Sequence, residues 1–534
     1  MAEREGLLIA FAIFASLRRN ISSLVTYPSI CFANGGERGI RTLGGVSPTH
    51  PFQGCTIGHS VISPLKLRRE KYVRGRSIEN SLGNLAKYHN MLPVFSFMIW
   101  LYRTLSLPFL LLSAPYYLKR MWRRGGYKKD WQQRLGYFPQ LPKKTSSKKR
   151  LWIQAVSVGE VLALAPLIRE LTQSQRYEII LTTTTSTGYH EALNRYSHSV
   201  LKIALFPIDF WPFSKRAWQR VEPDAVLLTE SELWPEHLHR AKCLEVPVLL
   251  INARLSDRSF KRFQYFKLFS HWALQQIDAI ICSTGQDFDR FLSLKTEPLP
   301  KVGNLKVDVP LPNALSPEAR VHALRDLGFD IPGTPPFVLI GASTWELEEA
   351  MLLSIQKRLI ACGIACLLII VPRHAERRNT LLPLLERQSL PWSYATATVP
   401  NKEAIQIFLS DTTGQLTQLL RLADLAFIGK SMPPNQGGQT PIEAAGLGIP
   451  SVFGPNMSNF ASITEQLVQL EASKRVDSEE ALFECVQYLI KNPKERLNMG
   501  LSGISWHKQN QGICSYICKT IERFVFSEDA SSKS

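Results

Sequence analysis

The sequence predicts an α/β protein made of two doubly wound halves. After Arg150, short apolar runs alternate with amphipathic segments, and this pattern pauses once, at a proline-rich stretch over residues 307–336. The apolar runs do not alternate with polar residues, which indicates parallel strands covered on both faces of a sheet. At 534 residues the chain is also too long for one hydrophobic core.

Twelve apolar runs predict the strands, and helical patterns follow them. Those of the first half are residues 151–157, 177–185, 201–206, 224–230, 247–252, 278–283 and 301–304. Those of the second half are residues 337–343, 366–371, 405–410, 424–429 and 450–454. Helical segments over roughly residues 479–525 close the chain.

The net positive charge of the chain comes from its N-terminal part. Residues 1–150 carry 25 Lys and Arg against 6 Asp and Glu, whereas the remainder carries 38 against 39. A neutral globular part without RNP, zinc-finger or helix-turn-helix signatures argues against a nucleic-acid partner.

The first 126 residues are expected to lie outside the wound halves. Residues 35–64 have no hydrophobic period, and the apolar run of residues 7–17 is too short to span a bilayer. We therefore expect residues 1–90 to be a non-structural extension, with the functional protein starting near Met91. Residues 91–118 carry one charge, Arg103, which predicts a membrane anchor that spans the bilayer or lies at its interface. A buried helical hairpin is the alternative. A basic flank follows this apolar segment and begins within residues 91–126. It favours a cytoplasmic position for the rest of the chain and suits anionic lipids. Its residues are Lys119, Arg120, Arg123, Arg124, Lys128 and Lys129.

The two wound domains are expected at residues 127–312 and 313–527. Ligands of open α/β sheets bind beyond the carboxyl ends of the strands, so we expect the site in the cleft between the domains. No GxGxxG follows the first strand, and the chain has no GxxxxGK[ST] and no GxSxG. These absences argue against a nicotinamide dehydrogenase, a P-loop enzyme and a serine hydrolase. By fold-level analogy, two facing Rossmann-like domains fit a nucleotide-sugar transferase of the GT-B architecture.

Glu160 is the first candidate catalytic residue. Ser157-x-x-Glu160 fits a helix capping box, which by itself explains a glutamate at this position. However, Glu160 follows the first strand, where sites form, and Gly159 permits a close approach of the backbone to a ligand.

Two further candidates lie in the first half. Glu230 and Glu232 end another strand, and in extended backbone both would face the same side. Lys306 follows the last predicted strand of this half, towards the expected cleft. Solvent-facing acids and an ordinary surface lysine are the alternatives.

Three loops of the second half carry candidate binding residues. Pro372, Arg373 and His374 end a strand, and an arginine there suits a phosphate. Gly414 opens a helix. Gly437 and Gly438 precede a predicted helix start, with Thr440 as N-cap, Pro441 at N1 and Glu443 at N3, where backbone N–H groups favour an anion.

Taken together, these stretches resemble the bacterial 3-deoxy-D-manno-octulosonic acid (Kdo) transferases of lipopolysaccharide and lipid A synthesis. The resemblance covers about residues 91–527. Its motifs occur in order: "YKKDWQQRLGYFP", "SVGE", "TTTTSTG", "ESELWP", "NARLSDRS", "GNLKVD", "AST", "VPRHAER", "SDTTGQL", "GGQTPIEAA" and "FGPNMSNF".

The resemblance implies an inverting GT-B transferase at the cytoplasmic face of the inner membrane. It would move Kdo from CMP-Kdo to a lipid A precursor, with no cofactor and no metal. Glu160 matches the general base, and Glu230 and Lys306 match the transition-state stabilisers. The positions that match CMP contacts are Pro372, Arg373, Thr413, Gly414, Gln415, Thr440, Pro441, Ile442 and Glu443.

Three stretches depart from the family pattern. Thr413-Gly414-Gln415 replaces Met-Gly-Glu, Gln439–Glu443 replaces His-Asn-Pro-Leu-Glu, and Lys430 stands where the pattern has the second glycine of Gly-Gly-Ser. The nucleotide pocket is therefore expected to be altered. Two alternatives stay open at this point: a GT-B transferase of another nucleotide sugar, and a non-catalytic membrane adaptor.

Overall fold

The computed structural model describes residues 97–108, 111–112, 115, 130–145, 147–294, 296–331, 333, 336–397 and 404–526. The predicted extension over residues 1–90 lies outside these ranges, as does the basic flank. The described residues from 130 onward belong to one compact unit, and those up to residue 115 belong to a second. In the second unit, the described residues 97–108, 111, 112 and 115 are helical. No helix among the described residues has both the length and the apolar character to cross a bilayer.

The first lobe is built on a six-stranded parallel sheet in the order β3-β2-β1-β4-β5-β6. Its strands are fully or almost fully buried, as their continuous apolar runs predict. The strands are β1 Lys149–Ala155, β2 Tyr177–Thr183, β3 Lys202–Leu205, β4 Ala225–Thr229, β5 Val248–Ala253 and β6 Ala279–Cys282.

Helices cover both faces of this sheet. They are α1 Val158–Ala163, α2 Ala165–Gln173, α3 Ser186–Tyr196, α4 Trp211–Val221, α5 Pro235–Cys243, α6 Asp257–Tyr265, α7 Lys267–Leu274 and α8 Gly285–Ser293. A 3₁₀ turn, Trp131–Leu135, precedes β1.

The predicted strand at residues 301–304 is wrong, because these residues belong to no strand, although the Gly303 N–H bonds to the Cys282 carbonyl of β6 at 3.0 Å. The Asn304 side chain accepts from the Lys306 N–H at 3.0 Å and donates to the Ser283 hydroxyl at 3.0 Å. A short 3₁₀ helix, Leu305–Asp308, begins directly after it. Gly303 packs so closely on Ile513 that a Cβ would lie 3.0 Å from the isoleucine side chain.

The second lobe is built on a seven-stranded parallel sheet in the order β13-β12-β11-β7-β8-β10-β9. The strands are β7 Phe337–Thr344, β8 Cys366–Pro372, β9 Trp392–Tyr394, β10 Ile407–Leu409, β11 Leu425–Ile428, β12 Ser451–Phe453 and β13 Ser473–Arg475. The sequence did not predict β9 or β13. Both are three-residue edge strands, and neither contains a run of apolar residues that would mark it.

The helices of the second half of the chain follow the same winding. They are α9 Pro317–Asp326, α10 Glu348–Ala361, α11 Arg378–Glu386, α12 Leu416–Leu420, α13 Ile442–Gly446, α14 Ala461–Gln469, α15 Glu479–Lys491, α16 Pro493–Asn510 and α17 Ile513–Phe526. A 3₁₀ turn, Ala375–Arg377, follows β8.

The last helix, α17, returns to the first lobe. Its apolar side chains, among them Ile517 and Ile521, belong to the buried core of the first sheet. Both carboxylate oxygens of Asp308 accept from the start of this helix, from the Gly512 and Cys514 N–H groups at 2.7 Å each. The sequence placed this helix in the second domain, whereas its packing joins it to the first.

In each sheet the strand order reverses between two adjacent strands, β1 and β4 in the first sheet and β7 and β11 in the second. The loops that leave the carboxyl ends of such a pair diverge to opposite faces and open a crevice. A ligand site is therefore expected at the residues that follow these four strands.

Candidate active site at the strand ends of the two lobes

Glu160 lies at the reversal point of the first sheet, in the first turn of α1. Glu160 is 5% exposed, and its carboxylate accepts three hydrogen bonds. The donors are the Val156 N–H at 2.8 Å, the Ser157 hydroxyl at 2.9 Å and the Thr229 hydroxyl at 2.5 Å. Ser157 occupies the N-cap position, but its side chain makes no capping hydrogen bond to the helix. The local capping box therefore explains the glutamate only in part, since Thr229 comes from the end of β4.

The surroundings of Glu160 favour its protonated form. Burial raises the pKa of the Glu160 carboxyl to about 8, and the negative charge of Glu230 acts in the same direction. The hydrogen bonds from Thr229, Val156 and Ser157 oppose this rise because they stabilise the carboxylate. A carboxylate with such a pKa is a proton acceptor matched to neutral or slightly alkaline pH.

Glu230 directly follows β4, and its backbone is left-handed, with φ of 56°. This conformation is uncommon for a residue other than glycine, and such strain is concentrated at functional sites. The expectation that Glu230 and Glu232 extend to the same side is wrong, because the chain turns here and the Glu232 N–H bonds to the Thr229 carbonyl at 3.3 Å. The Glu230 carboxylate lies 3.6 Å from an Arg254 guanidinium nitrogen.

Two cations of the first lobe reach the second lobe at the start of α14. Arg254, directly after β5, donates to the Asn459 carbonyl at 2.5 Å, and its guanidinium carbon lies 5.8 Å from the centroid of the Phe460 ring. The Lys306 ammonium lies 5.6 Å from the same centroid. Glu230, Arg254 and Lys306 thus stand where the two lobes meet.

At the reversal point of the second sheet, the side chains of Lys430 and His374 pack on Trp345, which follows β7. The Lys430 ammonium, after β11, lies 4.8 Å from the Trp345 ring centroid. The His374 ring, after β8, packs on the same ring at 5.2 Å. Burial lowers the pKa of His374, and the positive charge of Arg373 lowers it further. These strand ends form a positively charged surface.

Glu348 holds the loops of this surface in place. Its buried carboxylate accepts four backbone N–H bonds, from Trp345 at 2.9 Å, Lys430 at 2.7 Å, Ser431 at 2.8 Å and Met432 at 3.1 Å. One side chain thereby ties the loop after β7 to the loop after β11.

The other predicted nucleotide contacts lie on loops of the second lobe. Pro372 is buried and Arg373 exposed at the end of β8, and Thr413, Gly414 and Gln415 are exposed just before α12. The Thr440 hydroxyl donates to the Glu443 carboxylate at 3.1 Å and accepts from the Ile442 N–H at 3.3 Å. The helix α13 begins at Ile442 with Pro441 at the N-cap position, one residue later than the sequence predicts.

The two glycines before this helix are required by packing. Gly437 and Gly438 have φ of 102° and 69°, where side chains are strained. A Cβ on Gly438 would lie 2.3 Å from the Met457 sulfur, and one on Gly437 would lie 2.6 Å from the Asn459 amide nitrogen. The diglycine therefore supports the segment that Arg254 contacts from the first lobe.

Sequence reasoning assigned no role to Thr229, Arg254 or Glu348. Thr229 precedes Glu230 in "LLTESE", and Arg254 lies within "NARLSDRS", but neither residue has a local feature that marks it. Glu348 is the first residue of α10, with Leu347 at the N-cap position, so no capping-box spacing marks it in the sequence.

Comparison with known proteins identifies the family. The family model of 3-deoxy-D-manno-octulosonic-acid transferase (kdotransferase) matches residues 129–309. The chain is 31% identical over 382 residues to the 3-deoxy-D-manno-octulosonic acid transferase of Haemophilus influenzae, covering 70% of this chain and 87% of that protein. It is 30% identical over 373 residues to the transferase of the same name from Bordetella pertussis, covering 68% of this chain and 84% of that protein.

Among solved structures, the C-terminal CMP-Kdo binding domain of WaaA from Acinetobacter baumannii is 21% identical, with a TM-score of 0.31, and covers 35% of this chain and 96% of that chain. This structural likeness is too slight to bear on fold or function. The sequence relatives decide the question: the chain belongs to the family of 3-deoxy-D-manno-octulosonic acid (Kdo) transferases.

Proposed function

We propose that this chain moves Kdo from CMP-Kdo to a sugar hydroxyl of a lipid A precursor, as an inverting, metal-independent transferase of the GT-B type. The first domain, residues 127–312 with α17 packed on its sheet, binds the acceptor, and the second, which comprises the rest of residues 313–527, binds the donor. The observation that carries the proposal is the buried Glu160 carboxylate with its raised pKa at the reversal point of the first sheet.

Glu160 is the general base. It takes the proton of the acceptor hydroxyl as that oxygen attacks the anomeric carbon of Kdo, and CMP leaves from the opposite face of the sugar. The hydrogen bonds from Val156, Ser157 and Thr229 orient the carboxylate, so little reorganisation is needed when the proton moves.

Glu230 and Lys306 stabilise the transition state. Glu230 is held by its strained backbone and by Arg254, and its negative charge raises the proton affinity of Glu160. Lys306 supplies a positive charge where the lobes meet, opposite Phe460. A fixed charge at this place stabilises charge that develops during transfer.

The donor site lies on the loops of the second lobe. Pro372, Arg373, Thr413–Gln415 and Thr440–Glu443 are its proposed CMP contacts. The guanidinium of Arg373 suits the phosphate, which gains negative charge as the bond to Kdo breaks.

The enzyme works at the cytoplasmic face of the inner membrane. In the described part of the predicted anchor, Phe97, Trp100 and Leu112 are exposed, which favours contact with an apolar phase. In the first lobe, α6 exposes Arg258, Lys261 and Tyr265, a combination that suits an anionic lipid surface. Attachment to the membrane would raise the local concentration of a lipid acceptor.

The pH dependence of transfer tests the role of Glu160. We expect kcat/KM to rise with pH and to level off above about pH 8, because the base must be ionised and burial raises its pKa to about 8. The measurement is CMP release from CMP-Kdo with a lipid A precursor between pH 5.5 and 9.5. A profile that is flat across this range contradicts the assignment.

The pH dependence of the free energy of unfolding is an independent check on the raised pKa of Glu160. A carboxyl whose pKa is raised in the folded state contributes stability that is complete below its unfolded pKa, about 4.5, and is lost as the pH rises through about 8. The free energy of unfolding of the wild type, relative to Glu160→Gln, should therefore fall between those two pH values.

The experiment that tests the proposed function is product formation by the purified chain. With CMP-Kdo, a lipid A precursor and EDTA, we expect release of CMP and a Kdo-bearing lipid detected by mass spectrometry. Transfer only from a UDP-sugar would indicate a different donor. Absence of transfer from every nucleotide sugar would indicate a non-catalytic adaptor.

A further inference from the structure

Lys430 stands at the reversal point of the second sheet, where the chain leaves β11. The adjacent strand β7 ends at Trp345, and ligand crevices of α/β sheets open between the loops of such a pair. In the family pattern this position is a glycine, so the lysine is a feature of this chain.

The backbone of Lys430 is better suited to glycine than to lysine. Its φ is 58°, a left-handed conformation that is strained for a residue with a Cβ. The conformation is held from both sides, since the Lys430 N–H donates to Glu348 at 2.7 Å and its carbonyl accepts from the Gly438 N–H at 3.0 Å. These contacts use only the main chain, so they leave the lysine side chain unexplained.

The side chain places a positive charge over an aromatic face. The half-buried Lys430 has its ammonium 4.8 Å from the Trp345 ring centroid. The ion pairs between described residues do not include Lys430. The aromatic ring attracts the cation but does not neutralise it.

A second cation of the same kind lies across β7. Arg373, at the end of β8, is exposed, and it too is absent from the ion pairs of the described residues. Its neighbour Arg377 differs, because Glu349 pairs with it and balances its charge. After burial, the charges of Arg373 and Lys430 both lower the pKa of His374, whereas the nearby Glu376 raises it. The strands that lead to Arg373 and Lys430, β8 and β11, lie on either side of β7.

We propose that the Lys430 ammonium, together with the Arg373 guanidinium, binds the phosphate of the nucleotide-sugar donor. The inference rests on the proposed function and assigns a specificity residue to it. Two cations from the ends of β8 and β11 meet the phosphate, which is a monoanionic diester in the donor and gains a second negative charge in released CMP. A charge-assisted hydrogen bond from each cation offsets the cost of removing the charges from water. The contribution of the Lys430 charge to phosphate binding then explains why a lysine is present at this strained backbone position.

The test measures binding of CMP and of cytidine, which lacks the phosphate, by calorimetry. Lys430→Gly removes the charge and suits the left-handed backbone, whereas Lys430→Arg keeps the charge. Lys357→Ala is the matched control, because it removes an exposed lysine from α10 of the same lobe. Thermal unfolding of each variant checks the fold.

We expect Lys430→Gly to raise the Kd for CMP about tenfold, which corresponds to about 1.4 kcal/mol, without lowering the unfolding temperature. The Kd for cytidine should be unchanged, Lys430→Arg should stay within about threefold of the wild type, and Lys357→Ala should match the wild type.

Three results would overturn the inference. If Lys430→Gly binds CMP with a Kd within about twofold of the wild type, Lys430 does not bind the phosphate, and the proposed function is unaffected. Equal weakening of CMP and cytidine assigns Lys430 a role in loop shape. A wild-type protein that binds neither CMP nor CMP-Kdo refutes the proposed function itself, and the inference with it.

Discussion

Replacement of Glu160 by glutamine is expected to lower kcat by about 10²–10⁴-fold while the protein stays folded, which is the usual contribution of a positioned general base. Glutamine keeps the shape of the side chain, and its one oxygen, in the place of Oε2, accepts from Val156 and Thr229 while its amide NH₂ donates to the Ser157 hydroxyl. It cannot take a proton from the acceptor hydroxyl. The measurement is the steady-state rate of CMP release at saturating CMP-Kdo and lipid acceptor.

Glu191→Gln is the control for this substitution. Glu191 lies on α3 of the same lobe and pairs only locally with Arg195, so its loss should leave the rate unchanged. Circular dichroism and the unfolding temperature show whether each variant is folded. A folded Glu160→Gln enzyme with the wild-type kcat would exclude Glu160 as the base.

Replacement of Glu348 by alanine is expected to destabilise the second lobe by about 4 kcal/mol. The substitution removes the acceptor of four backbone N–H bonds at the ends of β7 and β11, and each buried donor left without a partner costs about 1–3 kcal/mol. Water that enters the space of the lost side chain would bond some of these N–H groups and so reduce the total loss of stability. The measurement is the free energy of unfolding in urea.

Glu346→Ala is the matched control, two residues earlier in the same loop. Glu346 is exposed, and a substitution at such a position usually changes stability by less than about 0.5 kcal/mol. If the two variants have equal stability, Glu348 does not hold the loops together. Loss of CMP binding by Glu348→Ala in the folded protein would be a second sign of displaced loops.

The pattern of apolar runs was sufficient to predict most of the sheet strands and the change from the first lobe to the second. Runs such as residues 177–185 and 366–371 are continuous because both faces of a parallel strand are covered. Edge strands lack this requirement, which is why β9 and β13 left no signal. Residues 301–304 were predicted as a strand but form none, because Asn304 bonds to Ser283, 21 residues earlier, and caps the 3₁₀ helix that follows.

The family was also readable from the sequence, and the relatives from Haemophilus influenzae and Bordetella pertussis confirm it. Many short motifs in a fixed order are specific even where each one is weak. The predicted roles of Glu160, Glu230 and Lys306 and the nine CMP contacts remain predictions, as do the domain boundaries and the membrane anchor.

By itself the sequence determined the fold class, the family and the strand ends at which polar residues gather, because these depend on residue types and their spacing along the chain. Only the tertiary structure decided what each polar group meets. It buried Glu160 against Thr229 and Glu230, brought Arg254 and Lys306 to Phe460, packed α17 on the first sheet and gave Glu348 four N–H partners from two loops. Burial and charge proximity set proton affinity and charge balance, and both arise from segments that are far apart in sequence.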